Sequence, residues 1–393
     1  MLKGWNYKTM KEICFVNQGL QISISQREKY KKNNNKIYIT IQHLNNIGKN
    51  EYIRDKDHNE SVVCKKDDIL MTRTGNTGNV VTNVEGVFHN NFFKINFDRK
   101  KIDKDYLFYY LNMKSIQTLI LAKSGASTIP DLNHNDFYSI PCIFPNDIKE
   151  QKAIVSILKD TDNLITLLKN TIEKKKKIKD QTMMELFNVK NEGFKTITLN
   201  QIGYTYNGLS GMNSSNFTGG NKKYITFLNI LNNPVVKEEF FRKFHCDNIQ
   251  NKVQKGDLFF NTSSEIPEEV AMCATIDYNV ENVYLNSFCF GFRINDKSVD
   301  NKYLSYFFRS QYGRNIMKTI AQGSTRFNLP KEKFLNYQIQ IPIDINRQIE
   351  IAEILTDIDN EIEKLNIKLD KYEKIKEGMM EDLLTGKVRL NYE

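Results

Sequence analysis

The sequence predicts two repeated α/β domains joined by two long antiparallel coiled-coil helices. Three observations predict this: an internal repeat covering most of the chain, a helical seam in each copy, and alternating strand-like and helix-like runs ahead of each seam. The repeat comes first because it sets the architecture before any local assignment. Residues 145–187 align with 342–384 at a constant offset of 197 and without a gap. Pro145 meets Pro342, Gln151 meets Gln348, Leu158 meets Leu355, Asp160 meets Asp357, Asp162 meets Asp359 and Met183 meets Met380. The offset holds back to Asp103 and Asp300, and shrinks to 189 near the start of each copy, where Gly4-Trp5 meets Gly193-Phe194. The chain therefore divides into a first domain (1–144), a first long helix (145–189), a second domain (190–341) and a second long helix (342–393).

The helices follow from spacing. In the second copy Ile351, Leu355, Ile358, Ile362, Leu365, Leu369, Tyr372, Met379 and Leu383 recur in alternating steps of four and three, apart from one seven-residue step. That is the apolar seam of a coiled coil. The first copy repeats it from Ile154 to Leu186, with Thr161, Lys175 and Thr182 weakening the stripe. With no Pro or Gly before Gly378, each helix extends about 37 residues, roughly 55 Å. One narrow stripe needs a partner, and the other copy is the obvious one. Because each domain precedes its helix, antiparallel pairing would place the domains at opposite ends.

The domains read as mixed α/β, with strands expected at 36–41, 68–72, Phe92–Phe97, 224–228, 257–260 and 288–294, and short helices at 106–113 and 303–312. Loops rich in Asn, Ser, Thr, Gly and Arg lie between them, notably 72–79, 124–128, 261–265 and 322–326. Such side chains present paired donors and acceptors to base edges and grip phosphates, although turns have the same composition.

Charge points the same way. The net charge is +9, distributed as +7 over 1–144, +2 over 145–189, +5 over 190–341 and −4 over 342–390, with Glu393 completing the sum. The basic excess lies in the domains, which suits a polyanionic partner. Six scattered cysteines without a C-x-x-C pair, and histidines without ligand spacing, argue against a metal or disulfide framework. No run is long enough to cross a bilayer, and a reduced, cytoplasmic setting is expected.

Catalytic signatures are missing. The one Asn-Pro, Asn233-Pro234, is followed by Val235 and lacks an adenine methyltransferase's Pro-aromatic continuation. Thr385-Gly386-Lys387 has Glu381 where a phosphate loop needs glycine. Pro130-Asp131 followed by Glu150-Gln151-Lys152 has the order of a nuclease's acidic pair and lysine, but the second copy carries Asn328, Arg347 and Ile349 opposite Asp131, Glu150 and Lys152. A self-contained nuclease or methyltransferase and a structural coiled-coil adaptor are the alternatives to a DNA-reading scaffold.

Residues 125–145 with 151–163, their equivalents 323–342 with 348–360, and the closing Leu383-Leu384-Thr385-Gly386-Lys387-Val388-Arg389 together resemble the specificity subunit of type I restriction-modification systems. Ala126, in place of Gly, and 15–19 depart modestly from that pattern. The resemblance implies two target-recognition domains reading the two halves of a bipartite double-stranded DNA target, with the helices setting the spacer. It also implies no catalysis in this chain. Two modification subunits would dock on the helices and restriction subunits would join them, with S-adenosylmethionine, ATP and magnesium held by those partners. On this reading the candidate DNA contacts are Gln18, Gln42, Arg73, Thr74, Asn76, Asn79, Ser127 and Thr128 in the first domain. Those of the second are Asn207, Lys222, Asn229, Thr262, Ser263, Ser264, Ser324, Thr325 and Arg326. Gln151, Asp160, Asp162, Gln348, Asp357 and Asp359 are the candidate partner interface.

Overall fold

The computed structural model describes residues 3–125, 130–188, 193–217, 219–246 and 248–390. The two predicted long helices are Ile148–Leu186 and Ile345–Leu383, 39 residues each. The chain divides into two compact units, Met1–Lys169 with Ile367–Glu393, and Asn170–Asn366. Each unit thus holds one α/β domain, the first part of that domain's own helix and the last part of the other copy's helix.

In the first unit, strand Trp5–Thr9 pairs antiparallel with Pro141–Pro145, so that the end of the domain returns to its start just before the long helix begins. One four-stranded antiparallel sheet has the order Cys14–Gln18, Phe92–Phe97, Ile69–Thr72, Val80–Val81. A second has the order Tyr52–Arg54, Asn35–Ile39, Gly86–Phe88, Val63–Cys64, with its central pair parallel. The second unit repeats this plan. Phe194–Thr198 pairs with Gln338–Pro342, and Gly203–Asn207, Cys289–Ile294, Leu258–Asn261 and Cys273–Thr275 form the antiparallel sheet. A further sheet has three strands, Arg242–Phe244, Lys222–Ile225 and Val283–Leu285, and Ser263–Ser264 pairs with Phe327–Asn328.

The residues shared between copies explain the shared frame. Asp103 and Asp300 cap the first turns of Lys104–Asn112 and Asn301–Arg309, accepting from the Tyr106 and Tyr303 amides at 3.1 and 2.7 Å. Fully buried Gln151 accepts the Asp103 amide at 2.7 Å and donates to the Pro145 and Lys101 carbonyls at 2.8 and 2.9 Å. Gln348 makes the same three bonds to Asp300, Pro342 and Ser298. One buried amide in each copy thus locks helix start, strand end and helix cap together, and leaving such a group unpaired would cost about 1–3 kcal/mol.

Three elements differ from the sequence expectation, each through a local cap. The strand expected at 224–228 ends at Ile225, because the Thr226 hydroxyl accepts the Asn229 amide at 3.2 Å and starts helix Phe227–Asn232. Likewise Thr40 caps Ile41–Leu44 and ends the strand expected at 36–41. The helix expected at 303–312 breaks at extended Ser310, whose hydroxyl caps the next helix through the Gly313 amide at 3.2 Å.

Antiparallel pairing of the two helices is explicit inside each unit. In the first, Asp162 pairs with Lys376 at 2.5 Å and Lys169 with Glu373 at 2.7 Å. In the second, Lys179 pairs with Asp359 and Lys175 with Glu361, both at 2.5 Å. Asp162–Lys376 and Asp359–Lys179 are one pair with the copies exchanged, and each aspartate also accepts a tyrosine hydroxyl, Tyr109 at 2.7 Å and Tyr306 at 2.9 Å. Such partly exposed pairs fix register more than they stabilise. The seam of the first helix is the better buried at its centre: Ile165, Leu168 and Ile172 are buried, whereas Ile362, Leu365 and Leu369 remain half-exposed. Lys175, expected to weaken the stripe, reaches out to Glu361 instead of lying in it.

Stabilisation comes from the helix ends. Met380, Leu383 and Leu384 are buried in the first unit's core with Trp5, Met10, Tyr106, Ile154 and Leu158, and the Tyr106 hydroxyl reaches the Leu384 carbonyl at 3.1 Å. Their counterparts Met183 and Phe187 are buried in the second unit's core, with the Phe187 ring 5.4 Å from Tyr303 and 5.9 Å from Phe307. Leu384→Ala is therefore expected to destabilise the first unit by about 2–5 kcal/mol. Hydrogen exchange should accelerate in Trp5–Thr9 and Lys104–Asn112 as well as at the mutated end, and acceleration confined to the last helical turns would contradict this packing.

Candidate nucleic-acid interface

In the first domain the loop 72–79 is built from buried Thr72. Its hydroxyl donates to the Asn76 carbonyl at 2.5 Å and accepts the Asn79 amide at 2.9 Å, while its own amide donates to the Asn79 carbonyl at 2.9 Å. Gly78 has φ +88°, and a Cβ there would lie 2.8 Å from the Ile120 side chain, so only glycine lets this loop lie against the helix Lys114–Lys123. Asn76 also takes positive φ, 57°, and stands exposed with Asn79.

Three further segments converge on this loop. The Arg73 amide donates to the Asn91 carbonyl at 2.7 Å and its carbonyl accepts the Leu132 amide at 2.9 Å, while the Thr77 hydroxyl donates to the Pro130 carbonyl at 2.6 Å. The Arg73 guanidinium makes a bidentate pair with Asp131, Nε to Oδ1 at 3.0 Å and Nη2 to Oδ2 at 2.7 Å. Nη1 has no partner among the described residues. Gln18 donates to the Asn90 carbonyl at 3.3 Å, and Thr74 forms a bridge with Asp131. Gln42 is exposed on the short helix Ile41–Leu44, which touches the loop where a Cβ on Gly75 would lie 3.0 Å from Ile41. Ser127 and Thr128 lie outside the described residues.

The second domain brings the corresponding segments together. The Thr262 amide donates to the Phe288 carbonyl and its carbonyl accepts the Leu329 amide, both at 2.9 Å. Ser263 and Ser264 pair with Asn328 and Phe327 as a short antiparallel ladder, and Arg326 Nε donates to the Ser263 hydroxyl at 3.2 Å. Ser324, Thr325 and Arg326 are exposed. Lys331 bonds the Asn207 side-chain oxygen and lies 5.5 Å from the Phe290 ring centre, and burial lowers its pKa. His134 occupies that place in the first domain, 6.0 Å from Phe93.

Other candidates are committed elsewhere. Asn229, expected on DNA, is 2% exposed and spends its amide on both backbone groups of Lys237, at 2.8 and 3.1 Å. Lys222 bonds the Cys246 carbonyl and lies 5.7 Å from the Tyr284 ring centre, within the packing of its own sheet. Gln151 and Gln348, expected at a partner interface, are wholly buried in the frame, and Asp162 and Asp359 are engaged by tyrosine and lysine as described above. Of that group Asp160 and Asp357 are exposed. The nuclease-like carboxylates are both taken: Asp131 holds Arg73, and Glu150 holds Arg389 through bonds of 3.0 and 2.8 Å. Burial pushes the Cys14 and Cys64 thiols up to about 12, which leaves neither a thiolate at neutral pH. Sequence reasoning missed Asn91, Asp131, Phe288, Asn328 and Lys331, which reach these sites from positions distant in the chain. Among the described residues no helix is long and apolar enough to cross a membrane.

Comparison with known proteins agrees with this duplicated plan. The chain is 26% identical over 380 residues to the type I restriction enzyme MjaVIII specificity subunit of Methanocaldococcus jannaschii, covering 86% of this chain and 85% of that one. Its fold resembles the S subunit of a type I restriction-modification system from M. genitalium, with a TM-score of 0.57 at 15% identity, covering 99% and 97% of the two chains. It also resembles a chain solved in work on assembly and conformational transition of the type I system, with a TM-score of 0.64 at 14% identity and 99% coverage of both. The family described as type I restriction modification DNA specificity domain matches twice, over residues 2–178 and 191–370, and the chain belongs to that family.

Proposed function

We propose that each domain reads one short block of a double-stranded DNA target, with an unspecified spacer between the blocks, and that this chain itself carries out no catalysis. The observation that carries the reading is the repeated convergence of the same three segments with different side chains at equivalent places. Arg73 is replaced by Thr262, Asp131 by Asn328, Asn91 by Phe288 and His134 by Lys331. A common frame with unlike readers suits two different blocks. In the first domain Asp131 takes one edge of the Arg73 guanidinium, and the remaining N–H groups of Nη1 and Nη2 suit the O6 and N7 acceptors of guanine. The basic excess of both domains favours a polyanion.

On this reading the two long helices set the spacer length. Exposed Asp160 and Asp357, with the equivalent exposed apolar residues Ile178 and Ile375, offer docking positions for two modification subunits, which restriction subunits join. S-adenosylmethionine, ATP and magnesium belong to those partners, and the complex works in the cytoplasm. With the modification subunits present, log affinity falls linearly with log salt.

Two experiments test this reading. Arg73→Ala should relax preference at one base of one block by about 1–3 kcal/mol and leave the other block unchanged. Competition binding with single-base variants measures this, and equal weakening on all sequences would reduce Arg73 to a phosphate contact. Inserting one heptad after Lys169 and another after Asn366 adds about 10 Å to each helix. The preferred spacer should then lengthen by about three base pairs, at about 3.4 Å each. An unchanged spacer would remove the ruler role.

A further inference from the structure

Phe288 is 58% exposed, yet its backbone is tied on both sides. Its amide donates to the Asn286 side chain at 2.9 Å, its carbonyl accepts the Thr262 amide at 2.9 Å, and the Cys289 amide donates to the Asn286 carbonyl at 3.1 Å. The ring stands in water on a hydrogen-bonded turn at the place where the first domain carries Asn91.

Phe288 lines a cavity of about 380 Å³ together with Ser263, Ser264, Glu265, Ile266 and Arg326. Ile266 is itself 49% exposed, so the apolar wall is a patch and not an isolated side chain. Among the described residues neither Glu265 nor the terminal nitrogens of Arg326 have a partner. Carboxylate at the rim disfavours phosphate. The Arg326 donors, the Glu265 acceptor and an apolar wall together match the edge of a base pair, which presents acceptors, an amino group and, on thymine alone, a methyl group.

We propose that Phe288 is a specificity-determining residue that makes apolar contact with the C5 methyl of a thymine in the block read by the second domain. The inference rests on the reading of each domain as a half-target reader. It gives the second block a requirement that the first block does not share.

The test uses the full chain with its modification subunits and a library of duplexes with randomised positions. The selected duplex is then remade with uracil replacing each thymine in turn, which deletes only the methyl group. Wild type should lose about three- to fivefold in affinity at one position of one block, the magnitude of one buried methyl. Phe288→Ala should bind thymine and uracil duplexes equally there, and Phe288→Leu should keep the difference. Tolerance of uracil throughout that block by wild type, or a uracil penalty that persists in Phe288→Ala, overturns the proposal while the half-target reading stands. Selection of no two-part motif by wild type overturns both.

Discussion

Neither copy of this chain contains a complete core of its own. The first domain closes only when Met380, Leu383 and Leu384 arrive from the far end of the chain, and the second only when Met183 and Phe187 arrive from the first copy's helix. Everything else follows from that exchange. Each helix must begin in one core, remain unbroken for 39 residues and end in the other. Ion pairs along the way then align the two helices, while the free energy lies in the apolar ends that water would otherwise meet.

The duplication separates what the frame needs from what the surface is free to vary. Gln151 and Gln348, Asp103 and Asp300, and Tyr109 and Tyr306 are identical because each makes the same buried or half-buried bonds in both copies. At the converging loops the backbone bonds repeat and the side chains do not. The charged fork braced by a carboxylate in one domain has serines, an arginine and an exposed phenyl ring as its counterparts in the other. That division is what the proposed reading of two different blocks requires.

The architecture was legible because the frame must be built twice, so its residues recur at one offset and its seam recurs at helical spacing. The same signal misled the assignment of Gln151 and Gln348. Repetition marks any constrained position, and a buried hydrogen-bonding amide is constrained as tightly as a docking residue. Short elements were hidden for another reason: the apolar run beginning at Phe227 reads as strand until Thr226 is recognised as its cap. Loop composition singled out 72–79 and 322–326, and the proposed readers lie on or beside them. The Arg73–Asp131 pair spans 58 residues and Phe288 lies just ahead of its strand, so neither carries a local sign of the part proposed for it. Both depend on contacts distant in sequence.

We propose above that two unlike readers in one duplicated chain recognise two separated blocks of DNA. Mapping modified bases across the genome of the source organism, with and without this gene, tests it most directly. A two-part motif with a fixed unspecified spacer should be modified in the parent and unmodified in the deletion. An unchanged map, or loss of a single uninterrupted motif, would contradict the account.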